Sequence, residues 1–270
     1  MRLYQTEANN PYSFSSQFSN TICEDSKGRL WIGTADQGIT IFNRTTGRFR
    51  HYNTEGKDAY SFKGQYVWSI YEDKQGNVWF GTYESGINLM PQWQKPFRNY
   101  MHDPQNPGSL AAGEVTNFYQ DEEGVLWVAH FLGGISLLNP NSGNFDHIIH
   151  DEQNPASLSG GGLYGICPDS RDYLWFASTP YLDRLNRKTG KFKHYCYDMS
   201  NPKSHAYTFT QCCYKDHRGT LWFGTSNAGL ERFNRTDGTF DRFCYHPDDA
   251  TSVSSNCIDA VYQDRLDVSS

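Results

Sequence analysis

Short apolar and aromatic stretches alternate with clusters of Gly, Asn, Asp and Ser along the whole chain. Brief runs bounded by turn residues read as strands, and their even spacing predicts an all-β chain. No apolar run approaches the roughly 18 residues of a membrane helix. The pattern also recurs. DSKGRLWIGT from Asp25, DKQGNVWFGT from Asp73, DEEGVLWVAH from Asp121, DSRDYLWFAS from Asp169 and DHRGTLWFGT from Asp216 align on Trp31, Trp79, Trp127, Trp175 and Trp222. The spacings are 48, 48, 48 and 47 residues. A period held so closely over five copies marks a repeat architecture.

Each copy predicts four strands. The first runs into the Asp, as VWSIYED does at Asp73, and carries apolar or aromatic residues on both faces. Such a strand is covered on both sides. A D-x-x-G turn follows, in which Asp accepts backbone N–H bonds. The second strand is of the LWIGT type, the third of the GITIFN type, and the fourth of the FRHY type. The two aromatics of the fourth strand stand three apart, which breaks simple alternation. Connecting segments such as MHDPQNPGSL and IHDEQNPASL repeat as well.

Four antiparallel strands with a period in the forties describe a propeller blade. The expectation is an all-β β-propeller in one domain over 1–270, with five complete four-stranded blades at about 14–52, 62–100, 110–148, 158–195 and 205–243. Partial strands are expected at 1–5 and 256–264, because the chain starts and stops inside the repeat.

Composition fits this picture. Hydrophobic residues are only 37% and mean hydropathy is −0.72, yet aromatics reach 16%, which argues against disorder. A net charge of −6 gives no basic patch for nucleic acid. The first twenty residues lack a basic start followed by an apolar core, as a signal peptide would have. Seven cysteines without a CxxC read as small buried hydrophobes in strands.

The unit NPxSL, then the D-x-x-G-x-LW-x-GT segment, then G-x-F-x-x-Y, resembles the two-component regulator propeller repeat over essentially the whole chain. That repeat occurs in the periplasmic sensor region of bacterial hybrid two-component systems, notably those of gut Bacteroidetes. The resemblance implies a seven-bladed ring, of which this chain is an incomplete fragment, since seven such blades take about 336 residues. It also implies a periplasmic location, carbohydrate sensing, and a relay to a histidine kinase not present in the chain. The partners to expect are an oligosaccharide, the rest of a sensor histidine kinase and a second copy of the chain. Nucleic acid, a membrane segment in this chain and a cofactor are not expected. A protein–protein interaction scaffold without a small ligand is the alternative.

The repeated Asp residues are needed identically by every blade, so they read as turn residues and not as catalytic acids. His51, His147 and His194 share one place in different blades and would sit around the rim, where they cannot converge on a metal. No catalytic motif is present, and no catalytic or metal residue is assigned. Function is expected where blades differ, in the loops between second and third strands and in the connectors. Sugar binding uses aromatic faces with planar polar groups. The candidates are Tyr83, His130, Phe131 and Tyr181, with Asp36, Glu84 and Asn227.

Overall fold

The computed structural model describes residues 4–7, 9–52, 61–92, 97–206 and 208–263. Among them, twenty strands form five four-stranded antiparallel sheets, each in chain order. Contacts divide the chain into two compact units, Met1–His147 and Ile148–Ser270.

The first unit holds three blades. Blade one comprises β1 (Ser19–Glu24), β2 (Leu30–Thr34), β3 (Ile39–Asn43) and β4 (Arg48–Tyr52). Blade two comprises β5 (Val67–Glu72), β6 (Val78–Thr82), β7 (Ile87–Met90) and β8 (Arg98–Tyr100). Blade three comprises β9 (Glu114–Gln120), β10 (Leu126–Phe131), β11 (Gly134–Leu138) and β12 (Phe145–Ile148). The second unit holds two blades. Blade four is β13 (Leu163–Ser170), β14 (Tyr173–Ser178), β15 (Leu182–Asn186) and β16 (Lys191–Tyr195). Blade five is β17 (Thr210–Lys215), β18 (Leu221–Thr225), β19 (Leu230–Asn234) and β20 (Thr239–Phe243). The fourth strands end at Tyr52, Tyr100, Ile148, Tyr195 and Phe243. A connector precedes each first strand, which starts at Ser19, Val67, Glu114, Leu163 and Thr210.

The Asp and the Trp of the repeat act together. In blade one, Asp25 Oδ1 accepts the backbone N–H groups of Lys27 (3.0 Å) and Arg29 (2.8 Å), while Oδ2 accepts the Trp31 indole N–H at 2.8 Å. The same indole bond measures 2.8 Å from Trp79 to Asp73, 2.9 Å from Trp127 to Asp121, 3.2 Å from Trp175 to Asp169 and 3.0 Å from Trp222 to Asp216. In blades one, two, three and five the carboxylate thus closes the turn and ties it to the second strand, whereas Asp169 of blade four bonds the side chains of Trp175, Arg184 and Arg235. Burial works to raise the Asp25 carboxyl, but the bonds from Trp31 and Arg29 outweigh it and hold it below the usual carboxylate range.

Blades pack within each unit through these tryptophans and the outer-strand aromatics. Trp31 meets Phe80 of the next blade edge-on at 5.3 Å, and Trp175 meets Phe223 at 5.2 Å. Tyr52 stands edge-on to Phe97 at 6.0 Å, Tyr100 to Phe145 at 5.7 Å and Tyr195 to Phe240 at 5.8 Å, all at 83°. This explains the spacing of three in the fourth strand. The β3–β4 and β15–β16 ladders run without a bulge, so residues three apart face opposite sides of the blade. Phe49 turns to Phe14 and Phe42, whereas Tyr52 turns to the following blade.

Of the two expected partial strands, the one at 1–5 falls mostly outside the described residues and the one at 256–264 is corrected. Residues 1–3 lie outside the described residues. Tyr4 and Gln5 are in no strand, and Tyr4 packs edge-on against Phe42 at 4.9 Å and Phe49 at 5.5 Å. Residues 256–263 form no strand either, and residue 264 lies outside the described residues. The segment still takes the place of an inner strand. Gly229 donates to the Asn256 carbonyl at 2.9 Å and Ile258 donates to the Thr225 carbonyl at 2.9 Å. A Cβ at Gly224 would fall 2.8 Å from Ile258 Cγ2, as one at Gly33 would fall 2.8 Å from Val67 Cγ1. What the segment lacks among the described residues is an LW strand to form a ladder with. The cysteines also differ in part from expectation: Cys167 is buried, but Cys196 and Cys257 are exposed and outside strands.

Asp121→Ala should destabilise the protein by about 3 kcal/mol or more, because it strips the turn and leaves a buried indole N–H unpaired. Trp127→Phe keeps the ring and should cost less, about 1.5–3 kcal/mol for the lost bond to a charged acceptor. Urea unfolding followed by circular dichroism checks the order, and equal losses would contradict the pin.

Candidate functional site

The loops joining second to third strands lie at one end of each sheet. Asp36 and Glu84 are exposed there in the first unit, and Asn227 in the second. Phe131 is half-buried at the end of β10. Tyr83 is 45% exposed, and Tyr181 is 39% exposed with its ring 5.8 Å from that of His194. His130 does not join them. It is fully buried, with Nε2 2.9 Å from Ser136 Oγ, so its ring points into the blade and away from the loop surface. Leu132, beside Phe131, holds φ at +65° with its side chain exposed, an uncommon conformation for a residue other than Gly.

Two features of this end escaped the sequence reading. The first is a bulge in every inner strand. The ladder to the second strand skips one residue in each blade: Asn20, Trp68, Thr116, Tyr164 and Gln211. A bulge re-aims the side chain it carries. In blade two this places Trp68 5.3 Å from the ring of Tyr66, which in turn lies 5.7 Å from Tyr83.

The second is a polar clamp. Each third strand buries one polar side chain completely: Thr40, Asn88, Ser136, Asp183 and Glu231. Each holds the connector that leads into its own blade's inner strand. Ser15 Oγ lies 2.9 Å from Thr40 Oγ1. Lys63 N–H donates to Asn88 at 2.7 Å and its carbonyl accepts from the same amide at 2.8 Å. Ala111 N–H donates to Ser136 at 3.3 Å. Ser159 donates from N and Oγ to Asp183 at 3.1 and 2.5 Å, and Ala206 N–H donates to Glu231 at 3.0 Å. The outer strand closes the clamp. His51 meets Thr40 at 3.0 Å, His147 meets Ser136 at 3.2 Å and His194 meets Asp183 at 2.6 Å, while Arg242 donates to Glu231 at 3.0 Å. Each of the three histidines thus bonds a third-strand residue of its own blade from the outer strand, where His147 is exposed.

Ser159, Asp183 and His194 gather in one place, but the carboxylate stands between the other two. His194 Nε2 is engaged by the Pro155 carbonyl at 3.1 Å, so the imidazole does not face the Ser159 hydroxyl, which bonds the Asp183 carboxylate. Among the described residues, no group of three or more His, Cys, Asp or Glu side chains could hold a metal ion, and no helix is long and apolar enough to cross a membrane.

The model of the family described as two component regulator propeller matches residues 13–36, 61–84 and 205–227. These are the connector, inner strand and pinned turn of blades one, two and five. Over those three stretches the chain is similar to the two component regulator propeller family. Blades three and four of this propeller fall outside the matched residues, and there Ala129-His130 and Ala177-Ser178 replace the Gly-Thr of the repeat. No curated protein matches the chain in sequence. Among solved structures, it is similar to the extracellular domain of the hybrid two component system BT3049 from B. thetaiotaomicron, with a TM-score of 0.73 and 22% identity over 93% of this chain and 38% of that one. PorZ, a surface component of the type-IX secretion system of Porphyromonas gingivalis, gives 0.65 and 16% over 93% of this chain and 37% of that one. A catalytically inactive virginiamycin B lyase from Staphylococcus aureus, with quinupristin, gives 0.61 and 19% over 89% and 73%. Identities this low carry the fold alone. The propeller described here spans well under half the length of the first of these structures.

The clamps of this propeller titrate in opposite senses. The His130 imidazole drops from its ordinary 6.5 to about 4, first because burial penalises the cation; the Gly113 backbone opposes this and nearby His147 adds to it. His194 moves up, chiefly through its bond to Asp183, with burial opposing. Between about pH 6.5 and 4 the unfolded chain takes up a proton that folded His130 refuses, so stability falls as pH falls. For His194 the sign reverses: its contribution is present in acid and lost as pH rises through its raised folded value.

Replacing His130→Thr, the residue of blades one, two and five, should remove the first effect. Urea unfolding at pH 7 and pH 5 should show the wild-type protein losing about 2 kcal/mol more than the variant. Equal losses would show that His130 titrates normally.

Proposed function

We propose that this propeller is part of the periplasmic sensing region of a bacterial two-component receptor, that it recognises a carbohydrate, and that the histidine kinase to which it relays lies outside this chain. One observation carries the reading. The blade bodies are held by the same Asp–Trp pin in all five copies, while the loop ends differ in every blade and expose Tyr83, Tyr181, Asp36, Glu84 and Asn227. A constant frame with variable, partly aromatic loop ends is how a scaffold presents ligand-contacting residues. The likeness to an extracellular domain of a hybrid two component system supports the location and the kinase partner. Binding without turnover follows, since Ser159, Asp183 and His194 are arranged to hold a connector.

Titration calorimetry against a panel of neutral and acidic oligosaccharides should give heat with at least one glycan. Tyr83→Ala should weaken it about tenfold, the value of one stacking contact. Absence of heat with every glycan, together with capture of one specific protein partner, would replace this reading with that of an interaction scaffold.

A further inference from the structure

Comparing the same three places in each blade singles out blade two. The places are the residue two before the inner-strand bulge, the bulged residue, and the first residue after the LW-type segment. Blade one has Phe18, Asn20 and Ala35, blade three Glu114, Thr116 and Phe131, blade four Gly162, Tyr164 and Thr179, and blade five Phe209, Gln211 and Ser226. Only blade two is aromatic at all three, with Tyr66, Trp68 and Tyr83.

The backbone holds these rings together. Tyr83 N–H donates to the Tyr66 carbonyl at 3.1 Å, which sets the two side chains side by side. Thr82 Oγ1 fastens the loop, donating to the Gly86 carbonyl at 2.8 Å and accepting Ser85 N–H at 3.1 Å. Gly64, at φ +96°, lets the connector pass so close that an added Cβ would stand 3.0 Å from Thr82 Cβ and 3.2 Å from Ser85 Cβ. Trp68 rides on the β5 bulge with its ring tilted 60° to that of Tyr66, and Tyr66 is tilted 47° to Tyr83. Trp68 also differs from the five repeat tryptophans: its buried indole N–H meets no acceptor among the described residues, so it pins no turn.

The geometry points to a carbohydrate subsite on blade two, in which the Tyr66–Trp68–Tyr83 platform takes the C–H face of a neutral pyranose. The inference rests on the carbohydrate reading above and narrows it. Aromatic rings offer an apolar face to the C–H groups of a sugar, while polar groups nearby meet its hydroxyls. The exposed Glu84 carboxylate adjoins Tyr83, and the chain carries a net charge of −6. A carboxylate accepts hydroxyl donors and repels sulfate or uronate groups, which selects a neutral glycan over an anionic one.

The test uses the whole chain labelled with ¹⁵N, titrated with cellohexaose, mannohexaose, xylohexaose, a heparin hexasaccharide and hexagalacturonate. The Trp68 indole resonance is assigned by its loss in Trp68→Phe, which keeps an aromatic ring in place. A neutral hexasaccharide is expected to shift that resonance and to leave the five Asp-bonded indoles unmoved. Its affinity is expected to fall about tenfold in Tyr83→Ala and to stay unchanged in Phe18→Ala, at the matching place of blade one. Binding of a neutral probe that neither moves the Trp68 resonance nor weakens in Tyr83→Ala would overturn the platform and leave the carbohydrate reading standing. Binding of the anionic probes alone would overturn the selection for neutral sugars. A wild-type chain that binds none of the five would remove the carbohydrate reading and the platform with it.

Discussion

A single bond, repeated five times, organises this chain. The Asp after each inner strand accepts the indole N–H six residues on, and in every blade but the fourth the same carboxylate also closes the turn. A large ring brings much apolar area to the seam between blades, but its one polar atom must be satisfied when it is buried there. The turn Asp solves both demands at once. One oxygen orders the turn and the other orients the ring, so hairpin and seam are fixed together. Once each ring is oriented, the packing in each unit follows, with Trp31 against Phe80 and Trp175 against Phe223. In blade four the same carboxylate also pairs with Arg184 at 3.0 Å and with Arg235. That blade has Asp172 where the others have the turn Gly, and the added cations hold its carboxylate in place.

Much of this was legible in the sequence because it is periodic. Turn Asp, second-strand Trp and connector recur at fixed intervals, and a period of 48 residues is incompatible with most other architectures. The link between Asp and Trp was not legible, since a turn residue and a packing residue can each be explained alone. The inner-strand bulges were hidden for a different reason. A bulge changes which face a side chain takes without changing composition, and Asn20, Trp68, Thr116, Tyr164 and Gln211 share no chemistry. His130 misled because its place in the sequence, beside a variable loop, is also the last buried pair of a ladder, opposite Gly134 and Val115. The signal that could have exposed it is the residue type of the other blades, which is Thr or Ser throughout.

The clamps separate what must be constant from what can change. A connector carries unpaired backbone groups into a crowded place, and leaving them buried without partners would be costly. The third-strand polar residue supplies the partner, which frees the loop ends from any structural duty. Tyr66 and Tyr83 can then vary from blade to blade without disturbing the hairpin beneath them. A site built this way inherits rigidity from the strands and chemistry from the loops.

The clamp residues also differ in strength in a way that bears on how each connector is held. Thr40, Asn88 and Ser136 are neutral, whereas Asp183 and Glu231 are carboxylates buried to the same degree. A neutral hydroxyl or amide contributes about 1 kcal/mol per bond and its loss is tolerable. A buried carboxylate is stable only with its acceptor capacity filled, and removing one partner costs about 3–5 kcal/mol. Asp183 is filled by Ser159 twice and by His194, and Glu231 by Ala206, His205 and Arg242. In blades four and five the connector is therefore one member of a charged network that fails as a unit. In blades one to three it is held by bonds that can be broken one at a time. Movement of a connector on ligand binding is accordingly cheapest in the blades with neutral clamps, among them blade two with its three aromatic rings.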